Sequence, residues 1–312
     1  MHWTLLVCLS DAVIMRLTGV YVPLITPFDA TGAVALGALE ALAHQVLEAG
    51  AAGVVALGTT AEPASLNVRE RQAVVDVVAR VCRERSAPLI VGANAVEAVA
   101  ALPGRAEVVA ALSVVPPFLR PGEAGVLAHF AALAAASPVP LVVYHVPYRT
   151  GQHLSTAAIR RLAALPGVAG IKYSVGNIDS GTVELLADLP PDFAVLGGDD
   201  ALISPLLALG AHGGILASAH VGTAAFVQLA EAWRSGGTVR ARSLGHRLAV
   251  LSTALFAEPN PTVIKAVLHA QGRIPTPSVR LPLVPPRPEA VRAAVRLAQD
   301  DVWRKLLLQG LA

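Results

Sequence analysis

Apolar positions along the chain fall into two interleaved patterns. Short runs rich in Val, Ile and Leu, with few polar interruptions, occur at 20–24, 53–57, 88–92, 111–115, 140–144, 168–172, 193–196 and 214–217. Continuous rather than alternating apolar runs are the mark of parallel strands covered on both faces. Between them lie Ala- and Leu-rich segments with helical spacing. One, over 36–49, sets Leu36, Leu39, Leu42 and Val46 along one side, and another holds Phe226, Leu229 and Trp233. A third opens at Asn67 with Glu70 three residues on, the pattern of a capping box. Eight strands alternating with helices predict an α/β fold, a closed (β/α)8 TIM barrel over 15–236. An open doubly wound sheet is the alternative, but no strand leads into GxGxxG. Three more helical patterns, at 238–257, 261–271 and 289–298, with a proline-rich link over 274–288, predict a C-terminal helical extension across 237–312. Residues 1–14 precede a natural-looking start at Met15 and read as an upstream-start artefact or a disordered segment.

Composition narrows the function classes. Hydrophobic residues make up 54% of the chain, ample for a large core, while a net charge of +2 and 4% aromatics leave no basic, aromatic-laced stripe for nucleic acid. The uncharged stretch 201–230 is broken by Gly210, His212, Gly213, Gly214 and His220, too short between breaks for a bilayer span. Cys8 and Cys82 match no metal-binding spacing and read as free thiols of a cytoplasmic protein. No membrane, nucleic-acid or metal partner is expected.

The candidate chemistry begins at Lys172. Lysine occurs only three times, at 172, 265 and 305, among 24 Lys and Arg residues. Arginine stays protonated under working conditions, whereas a desolvated lysine can lose its proton and attack a carbonyl. Lys172 ends an apolar strand, and in a barrel that end carries the chemistry. Ordinarily such a lysine packs its stem and extends its head to water. The other strand ends tip the balance. They supply Thr59 and Thr60 after strand two, Tyr144, Tyr148 and Arg149 around strand five, and Gly198, Asp199 and Asp200 after strand seven. An amine to form an imine, a phenol to carry a proton, and hydroxyls and a guanidinium to hold carboxylates together suit a keto-acid substrate. Gly198 and Ile215, at the ends of strands seven and eight, complete the expected substrate-binding set. Glu62 and Asp200 are expected to satisfy loop backbone donors, and Glu258, Asn260 and Lys265 to fix the junction between barrel and extension.

Five motifs in order, GTTAE at 58–62, YHVPYRTG at 144–151, GIK at 170–172, GGDDAL at 197–202 and EPNPTVIK at 258–265, resemble those of the dihydrodipicolinate synthase / N-acetylneuraminate lyase family of pyruvate-dependent class I aldolases. The resemblance covers about 19–297. It implies a Schiff-base lyase that needs no cofactor beyond the covalent imine on Lys172. Tyr144 and Thr59 would join Lys172 in catalysis, Thr60 would help bind the pyruvate carboxylate, and Arg149 the carboxylate of an aldehyde such as aspartate semialdehyde. It further implies a homo-oligomer, a dimer or a tetramer. The synthase branch is the nearest; a sugar-acid or N-acetylneuraminate type of lyase, or a catalytically weak keto-acid-binding paralogue, are the alternatives. Phe118 stands where the synthases carry a tyrosine that reaches across the dimer. His145 and His220 stand at positions commonly asparagine, so these three are the candidate specificity residues, with ordinary hydrogen-bonding roles as the alternative for both histidines. Val68 and Arg71 replace histidines near the lysine-binding site of regulated members, which predicts that lysine does not inhibit.

Overall fold

The computed structural model describes residues 17–102 and 104–299; the segment 1–14, Cys8 and the tail from 300 lie outside the described residues. Eight parallel strands form a closed barrel in sequence order: β1 Gly19–Pro23, β2 Gly53–Ala56, β3 Leu89–Gly92, β4 Val108–Val114, β5 Leu141–His145, β6 Val168–Tyr173, β7 Ala194–Gly197 and β8 Gly213–Ile215. Each predicted run holds its strand to within a few residues. Strand β8 stops at Ile215 because Leu216 and Ala217 already turn into the following helix, their carbonyls accepting from the N–H groups of Ala219 and His220. Closure of β8 onto β1 depends on small residues. A Cβ on Gly213 would sit 2.6 Å from the Gly19 nitrogen, so only glycine lets these two backbones approach.

Side-chain alternation on the strands builds two apolar layers. Inward residues such as Tyr21, Val55, Ile90, Leu112, Val142 and Leu196 fill the barrel as a buried plug. Outward residues meet the surrounding helices: α1 Leu36–Glu48, α2 Val68–Glu84, α3 Val96–Ala100, α4 Gly122–Ala136, α5 Pro147–Thr150, α6 Thr156–Ala163, α7 Ser180–Ala187, α8 Ile203–Ala208 and α9 Ala219–Arg234. The predicted capping box is formed. Asn67 Oδ1 accepts from the Glu70 N–H and Glu70 Oε2 from the Asn67 N–H, both at 2.9 Å. Cys82, the free thiol on α2, is buried in the outer layer.

The extension consists of α10 Thr238–Leu255, α11 Thr262–Ala270 and α12 Pro288–Gln299. Its Leu244, Leu248, Val263 and Ile264 belong to the same buried cluster as Val22 of β1 and Val54 of β2. Extension and barrel therefore share one core. Among the described residues no helix is long and apolar enough to cross a membrane.

Candidate active site

Parallel register places Lys172 of β6 beside Tyr144 of β5 on one side and Leu196 of β7 on the other. All three side chains point inward. Lys172 is 7% exposed, and its Nζ lies 4.3 Å from the centroid of the Tyr144 ring. The amine thus rests against an aromatic face in a dry strand-end site. Burial lowers its pKa from 10.5 to about 8; nearby Asp200 and Asp199 pull the other way and Arg149 adds to the lowering. Burial pushes the Tyr144 phenol up to about 12, so it stays protonated. Close packing at this point requires a glycine: a Cβ on Gly198 would sit 2.6 Å from Lys172 Cε.

The expected site residues converge. Lys172, Tyr144, Thr59 and Thr60 line one cavity of about 20 Å³, together with Arg149, Gly198 and Ile215. Thr59, Tyr144, Arg149 and Asn260 also line a neighbouring cavity of about 270 Å³, walled by apolar Leu57, Leu112, Leu281 and Leu283. Thr59 and Thr60 sit on the 3-10 turn Thr59–Ala61 that follows β2, and Thr60 Oγ1 accepts from Asn260 Nδ2 at 3.0 Å. Arg149 sits on α5, a single turn closed by Gly151 in the left-handed conformation. Asp199 accepts from the Tyr148 hydroxyl (3.2 Å) and the Gly176 N–H (2.7 Å), tying together the loops after β5, β6 and β7.

Three candidate specificity residues are not brought to these cavities. His145 follows Tyr144 by one residue and so faces outward, fully buried among the helices, its ring 5.7 Å from His153 and 6.1 Å from Tyr173. Neither of its ring nitrogens has a hydrogen-bond partner. His220 is a structural connector: Nε2 accepts from the Ile25 N–H at 3.1 Å, and Nδ1 meets the Ala217 carbonyl at 2.9 Å. That pairing places the ring proton on Nδ1. Phe118 projects from the loop after β4, 90% exposed, and lines neither cavity of this chain.

Two residues in or beside the site escaped the sequence reading as site residues. Asn260, read there as a junction residue, lines both cavities. Ser174 follows Lys172 by two residues and faces the same side; its hydroxyl is fully buried without a hydrogen-bond partner. It lies near enough to Tyr144 to ease ionisation of the phenol slightly. The period-two rule applied past Lys172 would have found it. Asp200 acts as foreseen, its Oδ2 accepting from the Ser218 N–H at 2.5 Å, and it also lines the smaller cavity, where burial raises its pKa to about 6. Among the described residues no group of three or more His, Cys, Asp or Glu side chains is arranged to hold a metal ion.

Known proteins resemble this chain in sequence and in fold. Residues 16–300 match the dihydrodipicolinate synthetase family. A 4-hydroxy-tetrahydrodipicolinate synthase of Neisseria meningitidis serogroup C is 39% identical over 288 residues, spanning 90% of this chain and 97% of that protein. One of Synechococcus elongatus is 38% identical, spanning 86% and 91%. The crystal structure of the chloride-inhibited dihydrodipicolinate synthase from Acinetobacter baumannii, complexed with pyruvate, is similar with a TM-score of 0.85 and 33% identity, covering 90% of this chain and 98% of that one.

Proposed function

The chain belongs to the dihydrodipicolinate synthetase family, and from that premise we propose that it is a Schiff-base lyase joining pyruvate to aspartate semialdehyde, the reaction of a 4-hydroxy-tetrahydrodipicolinate synthase. The observation that carries the reading is the buried Lys172 amine on the face of Tyr144, in a cavity rimmed by Thr59, Thr60 and Arg149. Thr59 and Thr60 hold the pyruvate carboxylate through hydroxyl and backbone donors. The neutral amine attacks the C2 carbonyl to give a carbinolamine. Tyr144, protonated because it is buried, donates a proton to the departing hydroxide, which leaves as water and yields the imine. The phenolate left on Tyr144 takes a C3 proton to give the enamine, whose C3 forms the new carbon–carbon bond at the aldehyde carbon while Tyr144 returns that proton to the aldehyde oxygen. Water then releases the product and restores the amine. Arg149, at the joint between the two cavities, suits the carboxylate of the incoming aldehyde.

Lys172 serves as the nucleophile and Tyr144 as the proton carrier, and no step calls on a metal ion, so EDTA treatment should leave turnover unchanged. Phe118 and Leu119, 90% and 82% exposed, support assembly of copies through the loop after β4. The test is borohydride trapping. Incubation with pyruvate and borohydride should place a reduced adduct on the peptide carrying Lys172, and Lys172→Ala should abolish both adduct and turnover. An adduct elsewhere, or none, would refute the imine mechanism; an adduct without turnover would identify a keto-acid-binding protein instead.

A further inference from the structure

Lys265 is the most completely buried cation of the barrel–extension junction, 0% exposed, and the mechanism makes no use of it. Its Nζ donates to Glu62 Oε1 at 2.7 Å and lies 4.1 Å from the Phe28 ring centroid, with the Arg280 guanidinium 4.3 Å from the same centroid. Desolvating a lysine and a carboxylate costs about as much as their attraction returns, and packed apolar side chains would stabilise the junction equally well. The geometry suggests what the pair does instead. Glu62 is the residue directly after the Thr59–Ala61 turn and adopts a left-handed conformation, φ 55°, that a non-glycine residue rarely takes. Its second carboxylate oxygen accepts from the Arg280 N–H at 2.9 Å, so both oxygens are anchored by the region beyond the barrel.

The rest of the turn is fastened in the same way. The Ala61 carbonyl accepts from Thr26 Oγ1 at 2.7 Å. Asn260 donates to Thr60 Oγ1, which leaves the threonine's own O–H free to point at a ligand. The Arg280 guanidinium also donates to the carbonyls of Ser65 and Gly32 and to both carboxylate oxygens of Glu70. Among the described residues, three of the four hydrogen bonds that tie residues 60–62 to chain outside 58–65 therefore come from residues 260–280.

We infer that the Lys265–Glu62 ion pair is a positioning device: it holds the Thr59–Thr60 turn in register with Lys172 and thereby sets the affinity for the keto-acid carboxylate. The inference rests on the assignment of that turn as the carboxylate site. Displacing donors by an ångström weakens carboxylate binding without altering the amine, so affinity and trapping chemistry should separate.

The experiment measures borohydride trapping against pyruvate concentration, using the full chain. Lys265→Met alone strands a buried carboxylate and serves only as a stability control. The informative variant is the double change Glu62→Gln with Lys265→Met, checked for folding by circular dichroism and gel filtration. It should raise the half-saturating pyruvate concentration on the order of 10- to 100-fold while the maximal trapping rate stays near that of the parent. Half-saturation equal to the parent's in the folded variant would overturn the inference, as would an equal loss in maximal rate. If the double variant does not fold, Glu62→Gln, isosteric and still able to accept from the Arg280 N–H, carries the same two readouts. Absence of any Lys172 adduct in the parent protein would instead defeat the imine mechanism, and the positioning role with it.

Discussion

At the residue scale, Lys172 and Tyr144 are shifted in opposite directions by one cause. Burial disfavours the charged form of each, which lowers the amine to about 8 and raises the phenol to about 12. Near neutral pH the pair thus offers a partly deprotonated nucleophile beside a fully protonated acid. The sign of the pH dependence follows. Below its pKa the neutral amine fraction grows about tenfold per pH unit, so kcat/KM for pyruvate should climb and level off above pH ~8. An unshifted lysine would keep climbing toward the model-peptide value near 10.4. Asp200, with a pKa of about 6, is already ionised across this range, so the inflection belongs to the amine. Tyr144→Phe should leave the inflection in place and slow turnover by ~10²–10⁴, the range for a positioned acid. A pH–rate profile of both proteins decides the matter. A profile still rising at pH 10 would mean that the amine is not desolvated as described.

At the element scale, the strand pattern was legible because eight apolar runs leave few other ways to bury both faces of each strand. Lys172 was legible because lysine is so scarce here. The sidedness of His145 and Ser174 was equally legible, because alternation along a strand fixes both. Strict alternation puts Tyr144 and His145 on opposite sides of β5, so a histidine next to the inward tyrosine belongs to the helix layer. The same rule brings Ser174 inward two residues after Lys172. The Lys265–Glu62 contact spans 203 residues and no periodicity announces it. His145 also makes a stability prediction. Its pKa is lowered from 6.5 to about 4 by burial. The unfolded chain therefore takes up a proton near pH 6.5 that the folded protein refuses until about 4, and stability falls across that window as pH drops. The loss saturates at roughly 3 kcal/mol, from the shift times 1.36 kcal/mol per unit. His145→Phe removes two unpartnered buried nitrogens and this acid penalty. Urea denaturation should show stability equal or higher at pH 7.5 and clearly higher at pH 5, with kcat and KM unchanged. A changed aldehyde preference would contradict the outward placement of the ring.

At the scale of the whole molecule, the exposed loop after β4 is the feature a single chain does not explain. Phe118 and Arg120 both have positive φ, 67° and 46°, and Phe118 and Leu119 hold large apolar side chains in water. Left-handed backbone at bulky residues is costly and persists only where surrounding contacts enforce it. The loop is not loose, because the Phe118 N–H donates to the Thr150 carbonyl at 3.3 Å, on the same short helix that carries Arg149. A rigid loop presenting two adjacent apolar side chains is a contact surface, and burying each gains about 1.5–3 kcal/mol. In the proposed assembly a second copy covers this patch and, through the Phe118–Thr150 hydrogen bond, braces the Arg149 helix from outside. Phe118→Asp should therefore convert the proposed oligomer to monomer in light-scattering chromatography and weaken the response to aspartate semialdehyde more than pyruvate trapping, since Arg149 is the residue proposed to hold the acceptor. Phe118→Tyr keeps the apolar contact and adds a hydroxyl. It should leave the oligomer intact and raise turnover with aspartate semialdehyde if a cross-subunit hydroxyl is the group this chain lacks. A parent protein that runs as a monomer, with Phe118→Asp kinetically silent, would remove the loop from any role in assembly and leave Arg149 held by its own turn alone.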